Sequence, residues 1–196
     1  MKDLSQDFLE IEYLKTGTRK QQEVYKVIQE LNILKILHMY NPILVGTIPI
    51  EIDLPESDLD IICEVYDFEN FKDFMENKYG RYKGFDCRVR EVDGITRVVC
   101  NLIYKEWIFE IFGQPIPTTQ QNAYKHMIIE HRILSILGDK ARETIVSLKN
   151  DKLKTEPAFG ELLKINSNPY TFLLEMYDWT ETRLTEYLNP FLEETI

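Results

Sequence analysis

The stretch Val45-Gly46-Thr47-Ile48-Pro49-Ile50-Glu51-Ile52-Asp53-Leu54-Pro55-Glu56-Ser57-Asp58-Leu59-Asp60-Ile61-Ile62-Cys63 joins a short apolar run to a second, strand-like run through a segment rich in carboxylates. Asp58 and Asp60 alternate with Leu59 and Ile61. In a strand, residues two apart face the same side, about 6.5–7 Å apart along the chain. Both carboxylates therefore point one way while Leu59 and Ile61 anchor the other face. Two like charges this close repel and raise one pKa unless a cation lies between them. A hard divalent ion answers that need, because Mg²⁺ takes oxygen ligands, keeps waters, and is held by one or two carboxylates together with substrate phosphates. Upstream, Gly46 lets the backbone approach a ligand and offer its N–H groups, and Thr47 adds a hydroxyl. A glycine turn at a strand end beside metal-binding carboxylates suits a triphosphate.

On either side of this stretch the pattern is helical. Leu4 to Leu14 and Thr18 to Met39 read as helices separated by Gly17, with Thr18 as N-cap. In the second, Val24, Val27, Ile28, Leu31 and Leu34 form one amphipathic stripe. Ile43-Leu44-Val45 and Leu59 to Val65 read as strands. Asp67 to Tyr79 reads as a helix ended by Gly80. Three strands follow, Phe85 to Glu91, Ile95 to Ile103 and Trp107 to Phe112; Asp93-Gly94 and Tyr104-Lys105-Glu106 are tight connections, so the three run as an antiparallel meander. Beyond Gln114-Pro115-Ile116-Pro117 the pattern is helical to the end, interrupted near Gly138, Pro157 and Asn168-Pro169. This order predicts an α+β fold, a mixed sheet of about five strands with flanking helices. Residues 1–115 form the expected core, with its N-terminal helices, and residues 116–196 a helical C-terminal region packed on it.

The 196 residues, 44% hydrophobic and 12% aromatic, have the composition of a globular protein and exclude a disordered or low-complexity chain. The net charge of −10 is local: Glu51, Asp53, Glu56, Asp58, Asp60, Glu64, Asp67 and Glu69 are eight acids in nineteen residues without a Lys or Arg, and the remaining 177 residues hold 23 basic and 25 acidic side chains. That balance argues against a broad duplex-binding surface, which needs Lys and Arg to replace phosphate counterions, but it speaks chiefly of a cation site. No apolar run approaches the length of a membrane span, and Met1 to Asp7 lacks the pattern of a leader, so the expected location is cytoplasmic. Cys63, Cys87 and Cys100, odd in number and without paired spacing, read as small buried hydrophobes.

A third carboxylate stands out in Trp107-Ile108-Phe109-Glu110-Ile111-Phe112, where Glu110 interrupts an otherwise apolar and therefore central strand. An ionised glutamate there is costly unless paired or metal-bound. Should the meander return this strand beside Asp58 and Asp60, three carboxylates would converge, as a two-metal phosphoryl-transfer site requires.

Gly46-Thr47, a gap of ten residues, Asp58-Leu59-Asp60-Ile61 and a lone acid on a later hydrophobic strand resemble the nucleotidyltransferase superfamily, which includes DNA polymerase beta and the aminoglycoside nucleotidyltransferases. Over nearly the whole chain, Gly46-Thr47-Ile48-Pro49, Ser57-Asp58-Leu59-Asp60-Ile61-Ile62, Glu110-Ile111-Phe112-Gly113-Gln114 and Gln120-Gln121-Asn122-Ala123-Tyr124-Lys125-His126-Met127 resemble a small bacterial family regarded as nucleotidyltransferase-like and of unknown activity. The resemblance implies a polymerase-beta-like sheet in which Asp58 and Asp60 hold Mg²⁺ or Mn²⁺ and Glu110 joins them or helps deprotonate the acceptor. It implies a nucleoside triphosphate as substrate, contacted by Gly46, Thr47 and Ser57. The superfamily usually has Gly-Ser or Gly-Gly where this chain has Gly46-Thr47; threonine keeps the hydroxyl.

Further along, Gln114 and Gln121 are candidates to contact base or acceptor and Lys125 to reach phosphate. His126 and His131 bracket Glu130, but the spacing matches neither zinc-protease motif, and His131 reads as a core histidine. Arg88 and Arg90 share a strand face with Arg97 opposite and read as a solvent face. Thr16-Gly17-Thr18-Arg19-Lys20 is a basic helix N-terminus suited to anions. The expected function is metal-dependent transfer of a nucleoside monophosphate to an acceptor hydroxyl with release of pyrophosphate, the acceptor being a small molecule or protein rather than nucleic acid. The competing expectation is an inactive nucleotide-binding or protein-interaction module on the same fold.

Overall fold

A computed structural model describes residues 8–92 and 94–194. The chain divides into two compact units, a sheet unit of residues 8–49 and 58–121 and a helical unit of residues 50–57 and 122–194.

In the sheet unit a 3-10 turn, Glu12–Lys15, precedes helix α1 (Arg19–Leu31). The Thr18 hydroxyl accepts from the Gln21 N–H while the Gln21 side chain accepts from the Thr18 N–H, a reciprocal cap that satisfies two otherwise orphaned donors. Val24, Val27, Ile28 and Leu31 are the buried stripe. Asn32 then turns left-handed, with φ of 56°, and a short helix α2 (Ile33–Ile36) follows. The single helix expected over Thr18 to Met39 is thus two. One left-handed asparagine, tolerated because its short polar side chain suits that region, breaks the axis without disturbing the burial of Leu31, Ile33 and Leu37. Of the helix expected over Leu4 to Leu14, the described part carries only the 3-10 turn. Leu4 to Asp7, the expected absence of a leader at Met1 to Asp7, and Asp93 of the hairpin lie outside the described residues.

Five strands, β1 (Ile43–Val45), β2 (Leu59–Glu64), β3 (Lys83–Val92), β4 (Ile95–Tyr104) and β5 (Trp107–Gln114), form one sheet in the order β1-β2-β5-β4-β3, with helix α3 (Phe68–Tyr79) between β2 and β3. β3, β4 and β5 are the expected antiparallel meander. Left-handed Gly94 and Lys105 make its two connections, where two-residue hairpin loops need positive φ. β5 returns to lie parallel with β2, and β1 pairs antiparallel with β2 on the other side.

One face of the sheet presents Leu59, Ile61, Cys63, Val98, Cys100, Leu102, Phe109 and Ile111 to a core shared with the α1 stripe and with Phe71, Met75 and Tyr79 of α3. Each large side chain so buried contributes about 1.5–3 kcal/mol, which fixes the register of β2 and β5: a slip of one residue would turn Asp60 and Glu110 into the core. Cys63 is free and buried as expected. Cys87 and Cys100 depart from that reading, since they lie directly opposite across β3 and β4 and are joined as a disulfide. Such a pairing depends on strand register, which cysteine spacing does not reveal.

The helical unit comprises α4 (Asn122–Leu137), α5 (Asp139–Asn150), α6 (Thr155–Leu162), α7 (Pro169–Tyr177) and α8 (Glu181–Glu194). The breaks fall near the expected positions. Gly138 has φ of 83°, and the Asn168 side chain accepts from the Tyr170 and Thr171 N–H groups, with Pro169 opening α7. Pro157 itself lies within the first turn of α6, where its missing N–H costs nothing. Arg132 fastens the end of α7 to the start of α8 by donating to the Tyr177 and Trp179 carbonyls and the Glu181 carboxylate. Residues 50–57 belong with these helices: Arg142 donates to the Ile50 carbonyl at 2.6 Å and Lys149 to that of Ile52 at 2.5 Å. Among the described residues no helix is long and apolar enough to cross a membrane.

Candidate active site

Strand pairing assembles the site. Val45, the last residue of β1, is the partner of Asp60, and Asp60 is in turn the direct partner of Glu110 on β5. Asp58 precedes β2 by one residue. Because neighbours in register share a face, Asp60 and Glu110 stand together on the side of the sheet opposite the core, with Asn101 of β4 next in line.

Gly46 follows β1 with φ of +87°, and a Cβ built on it would lie 2.5 Å from Oδ2 of Asp60. Both the left-handed backbone and the close approach require glycine, so the turn runs its main chain against the Asp60 carboxylate. α1 holds this turn from behind. Gln21, only 2% exposed, donates from Nε2 to the Ile48 carbonyl at 2.9 Å and to that of Pro49 at 3.2 Å. Gly17 leaves room for the Gln21 amide. The Thr16 to Lys20 turn, read from sequence as an anion site, thus supports the Gly46-Thr47 segment through Gln21. That role was hidden in the sequence because it depends on contacts 27 and 28 residues away.

The three carboxylates feel one another. Burial pushes Asp60 up to about 7, and the charges of Asp58 and Glu110 push in the same direction. Glu110 is raised by burial and by Asp58, while the guanidinium of Arg90 draws it back. Their oxygens do not all lie within 4.8 Å of one another. Arg90 is the cross-strand partner of Arg97, so two cations face each other on this side of the sheet, an unfavourable pairing without an anion. The Arg97 Nε is buried and has no hydrogen-bond partner among the described residues. The solvent face read from Arg88 and Arg90 therefore carries, at Arg90, a charge that acts directly on Glu110.

A pH dependence follows. The folded-state value of Asp60 lies above that of the unfolded chain, so between about pH 4 and 7 the native protein holds a proton that the unfolded one has lost. Stability in a chelator is therefore expected to fall as pH rises through this window. Asp60→Asn should flatten the decline; thermal melts at half-unit pH steps measure both.

The other sequence candidates are dispersed. Thr47 is half-buried beside Gly46. Gln114 is 7% exposed and pairs with Glu64, four residues beyond the carboxylate pair and so about 13 Å along the strands. Gln121 is 1% exposed, and its Nε2 donates to the carbonyls of Cys63 and Ile116 at 2.9 Å each. In the helical unit the Ser57 hydroxyl accepts from the Leu54 N–H at 2.9 Å, closing a turn, and the Lys125 Nζ lies 5.7 Å from the ring centroid of Tyr177. An open groove of about 670 Å³ between residues 9–12, 41–43 and 117–119 reaches β2 at Glu64, away from the carboxylates.

The sequence profile of a family described as a domain of unknown function (DUF4269) matches residues 26–176, a span that contains every carboxylate of this site. The chain belongs to the DUF4269 family. No curated protein sequence matches it significantly. Among solved structures, this DUF4269 chain is similar to Cid1 poly(U) polymerase with MgGTP bound, at 11% identity and a TM-score of 0.51 over 83% of this chain and 53% of that one. It is similar to the GLD-2/RNP-8 complex at 12% identity and a TM-score of 0.52, over 93% of this chain and 81% of that one. A second Cid1 structure, described for its RNA terminal uridylyl transferase activity, matches at 11% identity and a TM-score of 0.51, over 83% and 52% of the two chains. The DUF4269 chain thus spans about half the length of the Cid1 structures. At these identities the likeness establishes the fold, an α+β nucleotidyltransferase-like arrangement with a mixed five-stranded sheet and flanking helices.

Proposed function

We propose that this protein is a metal-dependent nucleotidyltransferase, which moves a nucleoside monophosphate from a nucleoside triphosphate to an acceptor hydroxyl on a small molecule or protein and releases pyrophosphate. The observation that carries the proposal is the direct pairing of Asp60 with Glu110 on parallel strands, with Asp58 two residues earlier and the Gly46 turn against Asp60.

The donor set fits hard divalent cations, since three carboxylates in mutual repulsion gain most from a shared positive charge and offer oxygen ligands alone. Asp58, Asp60 and Glu110 would hold Mg²⁺ or Mn²⁺, which supplies charge neutralisation for the triphosphate when bound. The left-handed turn at Gly46 offers main-chain N–H groups, and Thr47 a hydroxyl, to the phosphates. Arg90 and Arg97 add positive charge on the same face. In the reaction the acceptor oxygen attacks the α-phosphorus, the bond from that phosphorus to the pyrophosphate oxygen breaks, and the acceptor's proton leaves to Glu110. The protein contributes orientation and preorganised charge, the main sources of rate in phosphoryl transfer. Gln121, with its amide bonded within the sheet unit, serves to fasten the segment after β5 to β2.

Thermal shift across the four ribonucleoside triphosphates, with and without Mg²⁺, tests the proposal. Stabilisation by at least one triphosphate is expected only with metal, and it should disappear in Asp60→Asn and Glu110→Gln. No response to any triphosphate at millimolar Mg²⁺ would refute it. A catalytically silent module would keep the metal-dependent shift and transfer nothing.

A further inference from the structure

A second cluster of ligating groups lies wholly within the helical unit. His126 and Glu130 stand one turn apart on α4, the i, i+4 spacing that brings two side chains to one face. Glu156 enters from the first turn of α6. One ring nitrogen of His126 and one carboxylate oxygen from each glutamate all lie within 4.8 Å of one another, and no other such set occurs among the described residues.

This cluster is not a group of solvated surface acids. His126 is 8% exposed and Glu130 4%. The Nδ1 of His126 is buried without a hydrogen-bond partner among the described residues, and an orphaned imidazole nitrogen at this depth is costly. Burial raises Glu130 well above its ordinary value, and the charge of Glu156 pushes the same way; the nearby Lys149 ammonium offsets this in part. Lys149 also donates to the Ile52 carbonyl. Tyr170 of α7 packs beside His126, with ring centroids 6.2 Å apart and ring planes nearly perpendicular. A cation with affinity for both nitrogen and oxygen would engage the imidazole and relieve the carboxylate repulsion together.

We propose that His126, Glu130 and Glu156 bind one divalent transition-metal ion, which ties α4 to α6 and stabilises the helical unit. The mixed donor set points to the class. Mg²⁺ and Ca²⁺ prefer oxygen throughout, whereas one imidazole with two carboxylates suits Zn²⁺, Co²⁺ or Mn²⁺. Ligand bonds of about 2.0–2.2 Å place donor atoms about 3–3.6 Å apart, so the cluster needs side-chain adjustment rather than helix movement. A water completes the coordination. The site shares no ligand with the carboxylates of the sheet unit and does not depend on the function proposed for them.

The test uses the full chain carrying Asp60→Asn, which weakens metal binding at the sheet site. After chelator treatment and dialysis, Co²⁺ is titrated while its visible d–d absorption and the melting temperature are followed. Saturation at one ion per chain is expected, with bands typical of nitrogen and oxygen ligands and an upward shift in melting temperature. Adding His126→Asn or Glu156→Gln should lower Co²⁺ affinity at least 100-fold. Glu156, half-buried at a helix start, provides a variant whose fold near-ultraviolet circular dichroism can verify if His126→Asn destabilises the core. Failure to saturate with Co²⁺, or binding unaltered in folded Glu156→Gln, would overturn the site. Absence of a triphosphate response in the natural sequence would refute the nucleotidyltransferase reading and leave this result intact.

Discussion

Asp60→Asn is expected to remove Mg²⁺-dependent triphosphate binding and to reduce nucleotidyl transfer by at least about 100-fold, the scale of losing one preorganised charge in a reaction driven by electrostatics. The same substitution should raise the melting temperature in a chelator. Asp60 is pushed up to about 7 by burial and by its acidic neighbours, a penalty that a neutral amide of the same shape does not bear. A gain in stability with a loss of function marks a residue retained for its chemistry; a scaffold residue would lose both. Calorimetric melts and a pyrophosphate-release assay on one preparation separate these outcomes. Glu110→Gln should behave alike but more weakly in stability, because the charge of Arg90 already offsets part of the burden on Glu110.

Gly46→Ala should be nearly as damaging to function, and for a steric reason. The substitution forces an alanine to φ of +87° and drives its Cβ to 2.5 Å from the Asp60 carboxylate. The backbone strain costs about 1–3 kcal/mol, a fall in melting temperature of about 2–12 °C for a chain of this size. The clash must also move Asp60 or the turn, so the triphosphate response should vanish. Gly94→Ala provides the control, because Gly94 shares a positive φ of +73° but a Cβ there meets nothing within 4 Å. It should lower the melting temperature by strain alone and leave nucleotide binding unchanged. Parallel thermal shift of the two variants with triphosphate and Mg²⁺ checks the contrast.

Much of the sheet was legible because its signals are local. Alternation set the faces of Leu59 to Glu64, left-handed turn residues set the meander, and an acid among apolar residues marked Glu110. The five strands and their antiparallel run follow from these alone, and the motif of Gly46, Asp58 and Asp60 pointed to the nucleotidyltransferase-like fold. What stayed hidden depends on pairs distant in sequence. The left-handed Asn32 interrupts a perfect apolar stripe, so periodicity carried the helix through it. The Cys87–Cys100 bond needs the β3–β4 register. The support that Gln21 gives to Ile48 and Pro49 needs the packing of α1 behind the turn. The cluster of His126, Glu130 and Glu156 left half a signal, the i, i+4 pair on α4, but its third member arrives from α6 and matches no linear motif.

The most direct measurement is calorimetric titration of the protein with the four α,β-methylene ribonucleoside triphosphates, which cannot release pyrophosphate, with and without millimolar Mg²⁺. Saturable binding of at least one analogue near one per chain is expected with Mg²⁺ only, absent in Asp60→Asn and preserved in Gly94→Ala. If no analogue binds with metal present, or if Asp60→Asn binds as the natural sequence does, Asp58, Asp60 and Glu110 are not a nucleotide site.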